Sequence, residues 1–474
     1  MKKDFRRLAP FLAVFPLFFF GAAYLTRDLW FDEALTLMNF ALAERPSSIY
    51  FNYVIPNNQI VYTFLLRGYF ELAPRWFDLD CTLRLLSLAI GCATLLLLYF
   101  RFKTRAGGRR ILLPALIALG GSVPFLVYAT ALRGYMLSAF LAVLTLDRGL
   151  EYARRGGAAR LALYALGSFL LTGTIPTNLA VSAAIVLYLL PLFGNAFYRK
   201  RRFWIAALTP PAMFALFYGP LLRQFLGVLR LGEGWSCGVL ALQAVALAAA
   251  VTFAVPMIPA LAALPMLFRK TRGNRMRPVR AAIWLLPVPI LLLLPTTPFP
   301  RVFFPFWPLW ALLTAEGIRD FTAHRRLRRR NSALWLGALL LAAFGWCAFL
   351  QDAAPRRALS KYCGGAGADD FFYGYYLRPN HTARRTIDSI VKECGIRPLY
   401  LSFAADPWAL MFYGRLAGMT QFAFDGPRGR VPNLDAGTLA VLRADEAAEP
   451  LVLRFHRNFK LLLCNENHAV YLVQ

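Results

Sequence analysis

The sequence predicts a polytopic α-helical membrane protein with a small α/β domain at its C-terminal end. Three observations carry that expectation. Hydrophobic residues make up 58% of the 474 positions and charged ones only 16%, with a mean hydropathy of +0.49, too apolar for a water-soluble chain of this length. Apolar stretches of spanning or near-spanning length recur along the first 350 residues. Basic residues cluster in alternate loops, as the positive-inside rule requires of a multi-span protein.

The first apolar stretch, Leu8 to Thr26, is too long and aromatic for a signal peptide and has no small-residue cleavage site, so it reads as a retained helix. Further stretches fall at Thr82 to Phe100, Ile111 to Thr130, Tyr135 to Leu150, Leu161 to Thr172, Asn178 to Phe193 and Phe203 to Leu222. Val239 to Phe268, Ala281 to Leu294, Val302 to Gly317 and Ala333 to Leu350 follow, for about 11 transmembrane helices in all.

Lys2 to Arg7, Arg101 to Arg110, Arg148 to Arg160, Arg199 to Arg202, Arg269 to Arg280 and Arg319 to Arg330 all fall on one side under that count, the expected cytoplasm. The intervening loops are poor in charge. A net charge of +28 and a pI near 10.3 are therefore mainly a topology signal with some attraction to anionic lipid. No nucleic-acid partner is implied, and the run Arg325 to Arg330 resembles a nuclear localisation cluster only if the flanking spans are ignored.

An odd number of spans places the tail after Leu350 on the opposite, periplasmic side, together with Asp32. The expected division is a transmembrane domain over 1–350, containing a first periplasmic loop at 27–81, and a periplasmic α/β domain over 351–474. In that tail Thr382 to Cys394 is amphipathic, Leu399 to Phe403 strand-like and Pro407 to Leu416 helical. Thr438 to Leu442 and Phe459 to Leu463 read as strands, and Asn465-Glu466-Asn467 as a hairpin turn into Ala469 to Val473.

Seven cysteines without Cys-x-x-Cys spacing and four scattered histidines give no metal-ligand pattern, so neither a metal nor a cofactor is expected. Cys363, Cys394 and Cys464 fall in the external domain, where Cys363 could pair with Cys394 or each thiol could simply be buried.

Among polar residues on the external side, Asp32 and Glu33 stand out in Leu29-Trp30-Phe31-Asp32-Glu33-Ala34 where the first span ends. Adjacent carboxylates at a bilayer exit are costly to desolvate and point to chemistry; the plainer reading makes Asp32 the N-cap of a helix through Ala34 to Ala43. The loop that follows is long for a membrane protein connection. It contains Asn57-Asn58-Gln59 and then Ile60 to Phe70, an apolar stretch suited to the interface. Lying there, it would place Asn57 and Asn58 near the carboxylates; the two asparagines could equally just form a turn. Arg84, Arg133 and Arg301 each fall at an external helix end. Snorkelling explains any one of them; three on the side poor in basic residues suggest a shared anionic ligand.

Trp30-Phe31-Asp32-Glu33-Ala34, Asn57-Asn58 with Tyr62 and Leu65-Leu66, Arg84-Leu85-Leu86-Ser87, Arg133-Gly134-Tyr135, and Arg301 with Pro308 together resemble the GT-C glycosyltransferases that use polyprenyl-phosphate sugars. That group includes protein O-mannosyltransferases and the aminoarabinose transferase of lipid A. The resemblance covers most of the membrane part. It implies an inverting transfer with Asp32 as general base beside Glu33, Arg133, Arg301 and Arg84 on the donor phosphate, and Asn57, Asn58, Tyr62 and Tyr135 at the acceptor or sugar. It further implies a polyprenyl-phosphate sugar donor, a glycan, lipid or protein acceptor, and a bacterial inner membrane. Two positions depart from the family pattern: Asn58-Gln59 stands where Asn-His is frequent, and the turn before Arg133 lacks an acidic residue.

The chemistry agrees, since sugar transfer to a hydroxyl needs a base for the acceptor proton and cations for the leaving phosphate. A lipid-sugar flippase or transporter is the main competing class, but it would place ionisable groups near the bilayer midplane. Here Asp147 and Glu316 lie near the expected cytoplasmic ends. A non-catalytic envelope assembly protein is a third class.

Overall fold

The computed structural model describes residues 2–53, 58–73, 77–104, 108–229, 300–324, 382–402, 405–424, 434–444 and 457–474, with a few isolated positions besides. In chain order the helices are α1 (Lys2–Leu25), α2 (Phe31–Thr36), α3 (Ser47–Phe51), α4 (Ile60–Leu72), α5 (Leu79–Phe102) and α6 (Arg109–Gly120). Next come α7 (Val123–Thr130), α8 (Tyr135–Arg155), α9 (Ala158–Thr174), α10 (Asn178–Leu189), α11 (Arg201–Tyr218) and α12 (Leu222–Leu229). A 3₁₀ turn, Pro300–Phe306, leads into α13 (Trp307–His324), and α14 (Thr382–Cys394) and α15 (Pro407–Leu416) belong to the C-terminal part. Its strands are β1 (Leu399–Leu401), β2 (Phe422–Phe424), β3 (Leu439–Arg443), β4 (Phe459–Cys464) and β5 (His468–Val473).

Two compact units divide the chain. The first comprises Met1–Leu25, Arg45–Phe77 and Thr82–Leu377; the second comprises Thr26–Glu44, Asp78–Cys81 and Arg378–Gln474. The loop expected at 27–81 is thus shared. Its two ends belong with the C-terminal residues and its middle with the helices.

Among the described residues of the first unit, Arg201–Gly227 is long and apolar enough to cross a bilayer, as is Leu79–Phe102, whose first turn belongs to the second unit. A third span forms if Ile111–Gly120 and Pro124–Thr130 count as one. That pair bends by 63°, because Pro124 in the first turn of α7 offers no N–H to the preceding turn. Leu8–Ala22, Asn178–Leu192 and Val302–Glu316 are shorter apolar helices. Val239 to Phe268 and Ala333 to Leu350 lie outside the described residues, as does Ala281 to Leu294 but for two isolated positions.

Helix α8 is the hub of this unit, buried along nearly its whole length. Asn178 on α10 ties it to α9: its Nδ2 donates to Ser138 Oγ on α8 and to the Leu171 carbonyl on α9, each at 2.8 Å. A polar residue this deep is tolerated because those donors are used.

In the second unit the sheet order is β2-β1-β3-β5-β4. β1 pairs parallel with β2 and β3, while β5 pairs antiparallel with β3 and β4. The central strands β1 and β3 are buried almost throughout and apolar on both faces, as expected of strands covered on both sides. Helices α14 and α15 keep the bounds expected from the sequence; β2 is additional.

Asn465 and Asn467 of the β4–β5 turn dock this hairpin on α14, donating to Thr386 Oγ1 at 2.7 Å and Thr382 Oγ1 at 2.8 Å. His468 closes the junction, with Nδ1 3.0 Å from Thr386 Oγ1 and Nε2 3.2 Å from the Ala405 carbonyl. Burial pushes the imidazole pKa below its ordinary value despite the contact with that carbonyl.

Candidate functional site

Three polar elements of the first unit meet at Arg133-Gly134-Tyr135, between α7 and α8. Gln59, just before α4, accepts the Gly134 N–H through Oε1. A Cβ on Gly134 would lie 2.9 Å from both Tyr62 Cβ and Thr174 Cγ2. Only glycine lets this turn pack so closely between α4 and α9. From α4, the Tyr62 hydroxyl lies 2.8 Å from Ser87 Oγ on α5, and Ser87 donates to the Ala131 carbonyl at 2.7 Å. α4, α5 and the turn are thereby stitched together.

Arg133 is 2% exposed, with its guanidinium carbon 5.8 Å from the centre of the Tyr135 ring. Tyr135 packs on Tyr128 at 4.9 Å, and Tyr128 on Phe304 at 4.7 Å. This aromatic chain brings the 3₁₀ turn that carries Arg301 next to the turn that carries Arg133. The backbone of Arg301 is described; its side chain is not.

Arg84 is fully buried on α5, and its Nη1 donates to the carbonyl of Leu25, the last residue of α1, at 3.2 Å. A cation there suits the unsatisfied carbonyls and negative dipole end of that helix. Asn58 is also buried, with Nδ2 donating to the Ile49 carbonyl at 2.7 Å and Oδ1 3.4 Å from Thr63 Oγ1. It fastens α3 to the start of α4. Asn57 lies outside the described residues. In the sequence Gln59 is marked only as a departure from the family's frequent Asn-His, and that position in the motif is the available signal.

In the second unit, Asp32 and Glu33 occupy the first turn of α2, whose N-cap is Trp30. Glu33 is fully buried. Its Oε2 accepts the Trp30 N–H at 3.0 Å, half of a capping box, and its Oε1 lies 3.6 Å from Arg27 Nη2. The expected cap at Asp32 is therefore displaced: α2 starts earlier, and Glu33 reaches back to close it. Asp32, half-buried, lies in the first turn of α2 and is not its N-cap. α2 runs directly into a π-helix, Leu37–Ala41, so the helical stretch ends just short of the expected Ala43.

The segment leading to Asp32 is anchored at Asp28 and Leu29. Asp28 Oδ2 accepts the Arg384 N–H at 2.9 Å. The Leu29 N–H donates to the Tyr413 hydroxyl at 2.9 Å, and that hydroxyl donates to Asp80 Oδ2 at 2.9 Å. Arg384 Nη1 and Nη2 grip Asp78 and Asp80. Burial works against the Arg384 charge, but those carboxylates outweigh it and hold its pKa above the ordinary value.

A helical membrane-type body with an appended mixed sheet defines the class of fold. The chain superposes on ArnT from Cupriavidus metallidurans in the apo state with a TM-score of 0.57 and 15% identity, covering 99% of this chain and 98% of that one. For ArnT from the same organism bound to undecaprenyl phosphate the TM-score is 0.58, with the same identity and coverage. The fold is thus that of ArnT, the GT-C fold that the sequence resembles. No family model matches the chain, and no curated protein matches it in sequence.

Proposed function

We propose that this protein is a GT-C membrane glycosyltransferase of about 11 spans that moves a sugar from a polyprenyl-phosphate donor to a hydroxyl of an envelope glycan, lipid or protein. It works at the periplasmic face of a bacterial inner membrane. The observation that carries this reading is a fold likeness to ArnT over essentially the whole of both chains, including a structure holding undecaprenyl phosphate.

In this reading Asp32 takes the proton of the acceptor hydroxyl, the oxygen attacks the anomeric carbon, and the polyprenyl phosphate leaves with inversion. Arg133, with Arg301, meets the phosphate charge. Burial of Arg133 supports that role, since a guanidinium shielded from water attracts phosphate more strongly than an exposed one. Arg84 acts mainly through α1, whose end it holds. Gln59, Tyr62 and Ser87 fix the Arg133 turn, and Tyr135 flanks it.

The test is transfer from a polyprenyl-phosphate sugar by the purified protein, paired with mass spectrometry of envelope glycolipids and glycoproteins from cells with and without the gene. A sugar-bearing species lost with the gene and restored by the wild type, but not by Asp32→Asn, is expected. An unchanged envelope together with no transfer from any lipid-linked sugar would remove the enzyme reading.

A further inference from the structure

At the end of α8 away from Tyr135 lies a cavity of about 220 Å³ against the last turn of α5, lined in part by Phe100, Arg101, Asp147, Glu151, Arg154 and Arg155. α8 is 21 residues long, so its cavity-lining residues Asp147 to Arg155 lie roughly 20 to 30 Å along the helix from Tyr135, most of the thickness of a bilayer core. The cavity falls in the Arg148 to Arg160 cluster, which the charge pattern assigns to the cytoplasm.

The acidic residues here are already engaged. Arg101 Nε lies 2.9 Å from Asp147 and its Nη2 2.5 Å from Glu151, while Arg148 reaches the same two carboxylates, each at 3.0 Å. Two cations against two anions leave Arg154 and Arg155, both exposed, as surplus charge on the cavity wall. The turn that follows adds more. Gly156 has φ +66°, and a Cβ there would lie 2.8 Å from Arg202 Cζ, so this glycine admits a guanidinium against the backbone.

The other part of the wall is apolar. Phe100 is 53% exposed, with the Lys103 ammonium 5.6 Å from its ring centre. Exposed aromatic surface beside surplus arginines at a membrane boundary matches an amphiphilic anion better than a soluble one.

We propose that this cavity binds the headgroup of an anionic phospholipid, with Arg154 and Arg155 on the phosphate and Phe100 against the start of the acyl chain. The site is separate from the one that carries the proposed transfer, so it stands or falls independently of it.

The test uses the full-length protein in detergent, titrated with short-chain phosphatidylglycerol, phosphatidylcholine or inorganic phosphate and followed by native mass spectrometry and thermal shift. Saturable retention of phosphatidylglycerol over phosphatidylcholine is expected, with little effect of inorganic phosphate. Arg154→Ala with Arg155→Ala should weaken it roughly ten- to thirtyfold. Arg199→Ala with Lys200→Ala removes the same charge from another exposed basic loop outside the cavity and should leave it unchanged. Equal retention of phosphatidylcholine, equal binding of inorganic phosphate, equal weakening by the second pair, or no weakening by the first would each overturn the proposal.

Discussion

Arg384 on α14 donates through Nη2 to Asp80 Oδ1 at 2.8 Å, across 304 positions of sequence. The same guanidinium holds Asp78, and the Arg384 N–H holds Asp28. One residue of the C-terminal part therefore holds both ends of the 27–81 segment and, through Asp28, the stretch leading to Asp32.

Arg384→Ala should destabilise the second unit by about 2 to 4 kcal/mol, because Asp80 is buried and would lose a charged partner. Lysine should restore only part of this, having one point charge in place of two forked donors. Hydrogen exchange read on 26–44, 78–81 and 382–394 checks it. If the Arg384→Ala variant protects all three segments as the wild type does, the latch carries no stability.

Asp32→Asn and Glu33→Gln should fail in different ways. Glutamine keeps an oxygen for the Trp30 N–H but removes the charge beside Arg27, so Glu33→Gln should lower thermal stability by about 1 to 3 kcal/mol while a measurable transfer rate survives. Asp32 is not the N-cap of α2, and asparagine keeps its size and a side-chain oxygen, so Asp32→Asn should stay folded and lose roughly 10²- to 10⁴-fold in turnover. Melting curves and rates on the same preparations separate the two. A normal rate in Asp32→Asn, with Glu33 also neutralised, would falsify the assignment of the base.

Gly134→Ala would force a methyl into contacts of 2.9 Å on two sides. A cost of about 1 to 3 kcal/mol is expected, together with a weakened donor KM because the turn moves Arg133. Arg133→Ala should weaken donor use by roughly tenfold or more, and lysine should rescue it in part. Donor titrations of the three variants provide the check; unaltered donor use in Arg133→Ala would make this arginine an interfacial anchor.

His468 gives the second unit a dependence on pH. Its folded pKa is lowered from the ordinary 6.5, so the unfolded chain takes up the proton first. The stabilisation is complete above about pH 6.5 and is lost as pH falls towards the lowered folded value. His468→Gln, which keeps an amide to face the Ala405 carbonyl, should flatten the acid limb of a melting-temperature profile between pH 7 and 4.5. An unchanged slope in that variant would assign the acid sensitivity to other groups.

The sequence by itself determined the membrane class, through apolar length and basic-loop alternation, and much of the C-terminal unit. Thr382 to Cys394 and Pro407 to Leu416 were legible because their apolar patterning is helical, and Asn465 to Asn467 because that turn chemistry is local. Each signal acts between residues a few positions apart. Tertiary structure decided the rest. Phe422 to Phe424 is too short to show alternation and becomes a strand by pairing with β1. The cap of α2 falls on Trp30 because Glu33 turns back to its N–H and faces Arg27. Asn58 is occupied with Ile49, leaving Gln59 to hold Gly134. Nothing in periodicity or composition links Asp80 to Arg384, because a buried charge pair is specified by two surfaces brought together after the local elements form. For that reason the assignment of the Asp32 segment to the C-terminal unit was visible only in the fold.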